Sequence, residues 1–493
     1  MARFAAVLAS LRRFHGPALL RNLARIGRRS PRVAVATLAF SVILFGAIPT
    51  AQAFGLAVDD VPVEGLNGQR AGWVGSWMTA VDRAGRSEPA ASGFTDQTLR
   101  QVVDLSLGGD RIRVRLSNVF GDRDLRIGAA TVALRRGAAG AGTAGQPLRL
   151  TFHGATATTI PVGAEALSDP VALPVPDGSH LVISLYLPVP TGRATWHRHG
   201  WATSYRAAGD ASADARSGRF TAIGPSFYFL AGVDVLTRSA GAVVAFGDSI
   251  TEGCCEAGSI DADASYPDRL AARLRDRFPD RPAVLNAGIS GNALLSDGAG
   301  LSALTRFDRD VLGQTGVRTV IILEGINDII HSRGAVRPEQ LIRAQAELVR
   351  RARARGLRVV GATLTPFGGS GGFTAAGEQD RRTVNRWIRS SGVFDAVIDF
   401  DRLLRDPNDP ARLRAAFDPG DHLHPTAAGY AAMAAALDLP IMIKDPEPDD
   451  HPERNHHPDL AVLVAVQLFL REEERPTMFG DHWIAALAVQ LPA

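Results

Sequence analysis

Cysteine is almost absent from this chain: its 493 residues include two cysteines, and the two are neighbours, Cys254 and Cys255. Adjacent cysteines cannot supply a disulfide framework, so hydrophobic packing must stabilise the domains. The Cys-x-x-Cys and Cys/His spacings of zinc sites are missing as well. We therefore expect two thiols, with a strained vicinal disulfide between Cys254 and Cys255 as the alternative, and no metal or organic cofactor. The histidines near the end of the chain are interpreted as part of a solvated linker, and they are His451, His456 and His457.

Acidic residues are missing from the first 53 positions, which hold eight arginines. The formal net charge of +3 becomes 3 − 8 = −5 without this segment, so the rest of the chain gives no electrostatic reason to expect nucleic acid binding. An apolar run over residues 33–48 and the small-x-small motif Ala51-Gln52-Ala53 follow the arginines, as in a signal peptide. We expect cleavage after Ala53, export to the periplasm or beyond, and no stable membrane span afterwards. An uncleaved membrane anchor is the alternative, although the run is short for one.

Long amphipathic helices are absent from residues 72–238, where the apolar pattern has a period of two instead. Residues 111–116 alternate polar and apolar side chains as a half-buried strand does, and residues 181–187 are apolar enough to lie inside a sandwich. Turns rich in glycine and aspartate separate such segments. After a linker over residues 54–71, the sequence predicts an all-β domain, a jelly-roll-like antiparallel sandwich, over residues 72–238.

The pattern changes after residue 239. Short apolar runs typical of buried parallel strands alternate with helical patterns, the longest of them over residues 338–355. This alternation predicts a three-layer α/β/α domain of flavodoxin-like type with a mainly parallel sheet over residues 239–440. Ligands of such sheets bind beyond the carboxyl ends of the strands. Residues 441–493 are interpreted as a linker and a tail of unassigned role.

Four short polar blocks lie in this α/β region, and the first three each follow a predicted strand. They are Gly-Asp-Ser-Ile at 247–250, Ile-Ser-Gly-Asn at 289–292, Gly-Ile-Asn-Asp at 325–328 and Asp-His-Leu-His-Pro at 421–425. A serine at a strand-to-helix turn exposes its hydroxyl and leaves its own backbone N–H free, and glycines beside it permit the tight turn. The blocks thus supply a hydroxyl, an imidazole, a carboxylate and N–H donors.

In their order these blocks resemble those of the SGNH hydrolases, also called GDSL esterases and lipases, over about residues 240–438. Residues 72–238 are also similar to the N-terminal domain of one bacterial branch of that family. The resemblance implies a serine ester hydrolase that forms an acyl-enzyme, with Ser249 as nucleophile, His424 as its general base and Asp421 orienting His424.

The resemblance further implies an oxyanion hole formed by the backbone N–H groups of Ser249 and Gly291 and the side-chain amide of Asn327. Gly288 is a rival of Gly291 for the donor role. His422 is a rival base, although the family places its base directly before the proline of the fourth block. Asp248 and Asp328 are expected to hold turns and loops by hydrogen bonds.

An SGNH domain joined to a β-sandwich implies carbohydrate substrates, above all O-acetyl groups on polysaccharide, and export agrees with that. Lipid or small aryl esters are the alternative substrates, and a non-catalytic carbohydrate-binding protein is the alternative of another class. Aromatic and histidine side chains of the first domain could stack on sugar rings, although Trp73 and Trp77 are expected to fill the core. The candidates are Trp73, Trp77, Trp196, His197, His199 and Trp201.

Overall fold

The computed structural model describes residues 63–64, 70–85, 89–253 and 258–443. The predicted signal peptide, the pair Cys254 and Cys255, and the tail with its histidine cluster lie outside the described residues. Within the described ranges, no helix combines the length and the apolar character that crossing a lipid bilayer requires.

Antiparallel strands make up most of the described chain as far as Thr237, as the period-two pattern predicts. In chain order they are β1 (Val63–Glu64), β2 (Arg70–Met78), β3 (Asp82–Arg83), β4 (Gln97–Asp104), β5 (Gly109–Ser117), β6 (Leu125–Ile127), β7 (Ala129–Leu134), β8 (Leu148–Arg149), β9 (Thr158–Ile160), β10 (Glu165–Leu167), β11 (Val171–Val175), β12 (His180–Leu187), β13 (Thr195–His197), β14 (Ser204–Ala208), β15 (Thr221–Gly224), β16 (Phe227–Tyr228) and β17 (Leu230–Thr237). One four-residue helix, α1 (Pro89–Ser92), interrupts this part of the described chain.

Two six-stranded sheets dominate this region. One has the order β1-β2-β17-β5-β10, with β11 also paired to β5, and the other has the order β15-β14-β4-β12-β7-β8. In β5 the side chains of Ile112, Val114 and Leu116 are buried, and they share one hydrophobic core with those of β12. The intervening Arg113 and Arg115 point the other way, where both form ion pairs with Asp234 of β17. The predicted half-buried strand over residues 111–116 is therefore confirmed.

From Ala242 onward, strands and helices alternate around a single parallel sheet. The strands are β18 (Ala242–Gly247), β19 (Ala283–Gly288), β20 (Val317–Leu323), β21 (Arg358–Ala362) and β22 (Ala396–Ile398). The helices are α2 (Ser249–Glu252), α3 (Tyr266–Arg277), α4 (Ala303–Phe307), α5 (Ile326–Ser332), α6 (Pro338–Arg353), α7 (Ala375–Ser390), α8 (Phe400–Leu404), α9 (Ala427–Ala435) and α10 (Leu439–Ile443), with a π-helical turn (Asp308–Leu312) after α4 and a 3-10 turn (Ala415–Phe417) before α9.

The strand order β19-β18-β20-β21-β22 is the 2-1-3-4-5 order of flavodoxin-like sheets, as predicted. From β18 the chain passes to β19 on one side and then crosses to β20 on the other side. This reversal leaves a crevice at the carboxyl ends of β18 and β20. The first polar block follows β18, the second follows β19 and the third follows β20. Three of the four blocks therefore meet at this crevice.

The sandwich packs along the edge strand of the parallel sheet, where β2 lies against β19. The Ser106 hydroxyl accepts the Val284 N–H of β19 at 3.0 Å, and the Gly75 N–H of β2 donates to the Thr315 carbonyl at 2.9 Å. Edge strands leave backbone groups unpaired, and these contacts satisfy some of them. The strands of the sandwich end at Thr237 and those of the parallel sheet begin at Ala242, but both belong to the compact unit of residues 62–493.

Candidate active site

A sharp turn presents Ser249 at the end of a fully buried strand. β18 is buried along its whole length, and a single residue, Asp248, separates its end from the start of α2. Asp248 caps the helix, because its carboxylate accepts the Ile250 N–H at 2.9 Å. A Cβ on Gly247 would lie 2.7 Å from the Leu323 carbonyl oxygen, so only glycine fits there. The turn fixes the serine hydroxyl at the crevice.

The structure brings the predicted serine, histidine and aspartate into one hydrogen-bonded chain. Ser249 Oγ lies 2.9 Å from His424 Nε2, and His424 Nδ1 lies 2.6 Å from Asp421 Oδ2. The other oxygen of Asp421 accepts the backbone N–H groups of Leu423 and His424, each at 3.0 Å. Partial burial acts to raise the pKa of Asp421, but these hydrogen bonds outweigh it and lower that pKa. A charged carboxylate thus orients an imidazole whose second nitrogen faces the hydroxyl.

His422, the rival base, belongs to a separate pair. Its Nδ1 lies 2.5 Å from Asp418 Oδ2, and its backbone φ of +61° places the residue in the left-handed region. Its ring carbons lie close to Gly369. Of the two histidines in the fourth block, His424 is the one that contacts Ser249.

Two backbone N–H groups are available near the serine. Within the described part of the chain, neither the Ser249 N–H nor the Gly291 N–H has a hydrogen-bond acceptor. The rival Gly288 already donates its N–H to Asn286 Oδ1 at 3.0 Å, and a Cβ there would lie 2.3 Å from the Glu252 nitrogen. The geometry therefore favours Gly291, whose φ of +78° suits glycine.

Asn327 lies beside the turn that carries Asp248 and Ser249. Its side-chain nitrogen donates to the Asn292 carbonyl at 2.9 Å and to Asp248 Oδ2 at 3.2 Å. Both amide hydrogens therefore have acceptors, and an oxyanion would have to replace one of them. Burial raises the pKa of Asp248 to about 7, so its oxygen is an acceptor of variable charge at neutral pH. Asp328 accepts the N–H groups of Leu294 and Leu295, so it holds the loop after the second block as predicted.

A fully buried arginine that the sequence patterns did not reveal ties the blocks together. Arg306 of α4 donates to the Gly247 carbonyl, the Ala287 carbonyl and Asn292 Oδ1, each at 2.8 Å. It also forms ion pairs with Glu324 at 3.1 Å and with Asp310 at 3.2 Å. One guanidinium thus contacts the ends of β18 and β19, the second block and the residue after β20.

A cleft of about 400 Å³ opens beside Gly291 and Asn327. Most of the side chains on its walls are short. The remaining lining residues are Ala293, Ser296, Asp297, Gly298, Ala299, Asp328, His331, Ser332 and Val336. The cleft can accept a small group beside Gly291 and Asn327, whereas Ser249 and His424 do not line it.

The aromatic candidates of the sandwich lie apart from this cleft. Trp196 is buried and donates its ring N–H to the Arg83 carbonyl, whereas Trp77 is half-buried and packs edge-on against Phe227 at the margin of the core. His199 stacks on Trp201 with ring centres 5.7 Å apart. His197 is buried at the junction with α2. Trp73 carries the guanidinium of a β5 arginine on its face.

One group of side chains in the described ranges has ligand atoms close enough together for a metal ion. Asp104, His180 and Asp263 place one such atom each within 4.8 Å of one another, with His180 Nε2 2.9 Å from Asp263 Oδ2. Asp104 ends β4, His180 begins β12 and Asp263 lies in the loop before α3, and the hydrogen bond of this group does not reach Ser249 or His424.

Part of this chain matches a known protein family, and several solved structures resemble it. Residues 245–432 match the model of the GDSL-like Lipase/Acylhydrolase family. Solved structures that resemble the chain include a GDSL-like lipase from Bacteroides thetaiotaomicron (20% identity, 41% of this chain and 88% of that one, TM-score 0.32). A second is the carbohydrate acetylesterase Est24 from Sinorhizobium meliloti, with 17% identity over 40% of this chain and 94% of that one and a TM-score of 0.32. A third is a variant of Axe2, an acetyl xylan esterase from Geobacillus stearothermophilus, with 20% identity over 40% of this chain and 93% of that one and a TM-score of 0.32. A search of curated proteins found no match.

Proposed function

We propose that this serine ester hydrolase is exported and removes short acyl groups, such as O-acetyl, from carbohydrate. Its GDSL-like lipase/acylhydrolase domain covers residues 245–432. The observation that carries the catalytic part is the chain of contacts from Ser249 Oγ to His424 Nε2 (2.9 Å) and from His424 Nδ1 to Asp421 (2.6 Å). The basic leader and the small-x-small motif that follows it support export.

The contacts assign a role to each group. Ser249 Oγ attacks the ester carbonyl carbon while His424 takes the hydroxyl proton, and the carbonyl oxygen becomes an oxyanion beside the Ser249 and Gly291 N–H groups. When the intermediate collapses, the C–O bond to the alcohol breaks and His424 gives its proton to the departing oxygen. Water then attacks the acyl-serine with the same histidine as base, which releases the acid and restores Ser249. Asp421 stabilises the imidazolium formed in each half.

The shape of the cleft supports a short acyl group. Ala293, Gly298 and Ala299 bring little bulk to its walls, and Ser296 and Asp297 are polar. A long acyl chain would need an extended apolar tunnel to bury its methylenes, each worth about 0.8 kcal/mol. Asp297 and His331 could instead hydrogen-bond hydroxyl groups of a sugar. Lipid or aryl esters remain the second candidate class.

Hydrolysis of p-nitrophenyl esters with acyl chains of two to eight carbons tests the catalytic proposal. We expect the two-carbon ester to give the highest kcat/KM and Ser249→Ala to lower kcat by at least about 10³-fold. Equal rates for wild type and Ser249→Ala would refute the catalytic proposal and leave the non-catalytic carbohydrate-binding protein as the alternative. A preference for the eight-carbon ester would favour the lipase alternative, and acetate release from acetylated xylan would support the carbohydrate substrate.

Export has its own test. Expression of the full chain in a bacterial host, followed by fractionation and N-terminal sequencing, should give an exported protein that begins at Phe54. A full-length protein that stays with the membrane fraction would support the uncleaved anchor instead.

A further inference from the structure

Glu252, the last residue of the nucleophile helix α2, is buried where the catalytic domain meets the sandwich. Its side chain is 4% exposed, and both domains supply hydrogen-bond donors to it. From the catalytic domain, the Ser290 N–H donates to Oε1 at 3.1 Å and the Ser290 hydroxyl donates to Oε2. From the sandwich, His197 Nε2 lies 3.2 Å from Oε1 and the Trp201 ring N–H lies 3.4 Å from Oε2.

The contact with Ser290 bears on the oxyanion donor one residue later. The Gly291 N–H belongs to the peptide plane that joins Ser290 to Gly291, so its direction depends on how Ser290 is held. Glu252 accepts both the backbone and the side-chain donor of Ser290, and a two-point contact leaves that residue little freedom to rotate. The carboxylate also moves with the nucleophile, because it sits on the same four-residue helix as Ser249.

His197 supplies the compensating charge. Its Nδ1 lies 2.7 Å from the Ala80 carbonyl, which can only accept, so Nδ1 must carry a hydrogen. Its Nε2 faces the Glu252 carboxylate, which favours a hydrogen there too. With both nitrogens protonated, the ring is an imidazolium, and a buried carboxylate is tolerated when paired in this way. Burial acts to lower the pKa of His197, but Glu252 and the Ala80 carbonyl outweigh it and raise that pKa.

We propose that Glu252 is a positioning residue that holds Ser290 so that the Gly291 N–H points at the oxyanion, and that the sandwich domain keeps it in place through His197 and Trp201. The sandwich is then part of the catalytic apparatus and not only an attached binding module. This inference rests on the proposed function, because it assigns Gly291 to the oxyanion hole.

Steady-state kinetics with p-nitrophenyl acetate and binding of phenylboronic acid, a mimic of the tetrahedral intermediate, test the proposal. Glu252→Gln keeps the shape of the side chain but loses the charge and one acceptor. We therefore expect kcat to fall about 10–100-fold while KM stays within about threefold of wild type. This fall in kcat is smaller than the one expected for removal of a whole oxyanion donor. Boronate affinity should fall in parallel. His197→Gln retains an N–H toward Glu252, so it should lose less, about 3–10-fold.

Thr315→Ala is the matched control. Its hydroxyl donates to Asp234 Oδ2 at 2.9 Å, so this variant also breaks a hydrogen bond between the sandwich and the catalytic domain, but away from α2. We expect kcat within twofold of wild type even if its melting temperature falls as far as that of Glu252→Gln. If Glu252→Gln does not fold, His197→Gln and Trp201→Phe provide the same test.

The outcomes separate the two claims. An active wild type, an inactive Ser249→Ala and variants of Glu252 and His197 with wild-type kcat and boronate affinity would overturn this inference and leave the proposed function intact. A loss of kcat matched by Thr315→Ala would overturn it too, because the effect would then come from a loosened junction. A wild type no faster than Ser249→Ala would overturn the proposed function itself.

Discussion

Replacing Arg306 by methionine tests whether one buried guanidinium holds the strand ends in place. The variant keeps much of the side-chain volume but removes a donor from three acceptors: the Ala287 carbonyl, Asn292 Oδ1 and the Gly247 carbonyl, the last of which keeps the Ile289 N–H. It also leaves Glu324, which is fully buried, without its cation. Each orphaned buried acceptor costs about 1–3 kcal/mol, and breaking a buried ion pair from one side costs about 3–5 kcal/mol.

These contributions overlap, so we expect Arg306→Met to lower the free energy of unfolding by about 4 kcal/mol, a large share of the usual 5–15 kcal/mol. Burial and the nearby Asp248 raise the pKa of Glu324, and they outweigh Arg306, which acts to lower it. Without the guanidinium, Glu324 should take up a proton more readily. The loss should therefore be smaller at pH 5 than at pH 8.

Urea unfolding followed by circular dichroism at both pH values measures the effect. Arg306→Lys keeps the charge but not the fork of donors, so it should fall between wild type and Arg306→Met. Arg350→Met serves as the control, because Arg350 is exposed and its ion pair within the described residues is with Glu347, one turn away, so no resolved change is expected. An Arg306→Met protein within about 1 kcal/mol of wild type at pH 8 would refute the reasoning.

Three further perturbations have defined outcomes. Asp421→Asn should lower kcat for p-nitrophenyl acetate by about 10²–10⁴-fold, because a neutral amide no longer stabilises the imidazolium, and a fall of less than fivefold would contradict that role. Burial, with a smaller contribution from Asp263, raises the pKa of Asp104 to about 7. The folded state thus keeps a proton that the unfolded state releases, and stability falls as pH rises from about 4 to 7. The melting temperature of Asp104→Asn relative to wild type should therefore increase between pH 5 and pH 8, and a constant difference would count against this. Gly288→Ala should yield little folded protein on size exclusion, since its Cβ would lie 2.3 Å from a backbone nitrogen of α2, whereas Gly371→Ala, with nothing within 4 Å, should behave as wild type.

Local patterns were enough to predict how the candidate catalytic groups are brought together. The apolar runs that became β18, β19 and β20 each end at a polar block, and parallel strands in flavodoxin-like order direct those ends to one crevice. Asp421 and His424 are three residues apart, so one loop turn suffices to pair them. Only the approach of that loop to Ser249, 175 positions earlier, required the whole fold.

The oxyanion role of Asn327 stays a prediction, because the family pattern does not show which groups bind its amide in the folded chain. The pattern assigned its amide to the oxyanion, yet both amide hydrogens have acceptors in Asn292 and Asp248. A sequence block identifies which residue reaches the crevice. It does not say which neighbours compete for its hydrogens, because those depend on the burial and charge of groups such as Asp248.

Buried charges were the main feature that periodicity missed, although one of them left a trace. Arg306 lies in a short helical pattern, where an arginine usually indicates a solvent-exposed position, and His197 reaches Glu252 only because the sandwich packs on the parallel sheet. Glu324, however, comes directly after the buried run of β20, at a position where the strand cannot turn it to solvent. An ionised carboxylate there requires a paired cation, since its uncompensated burial would cost several kcal/mol. A carboxylate at the end of a buried run therefore needs either a buried cation, as Glu324 has in Arg306, or a raised pKa, as Asp248 has.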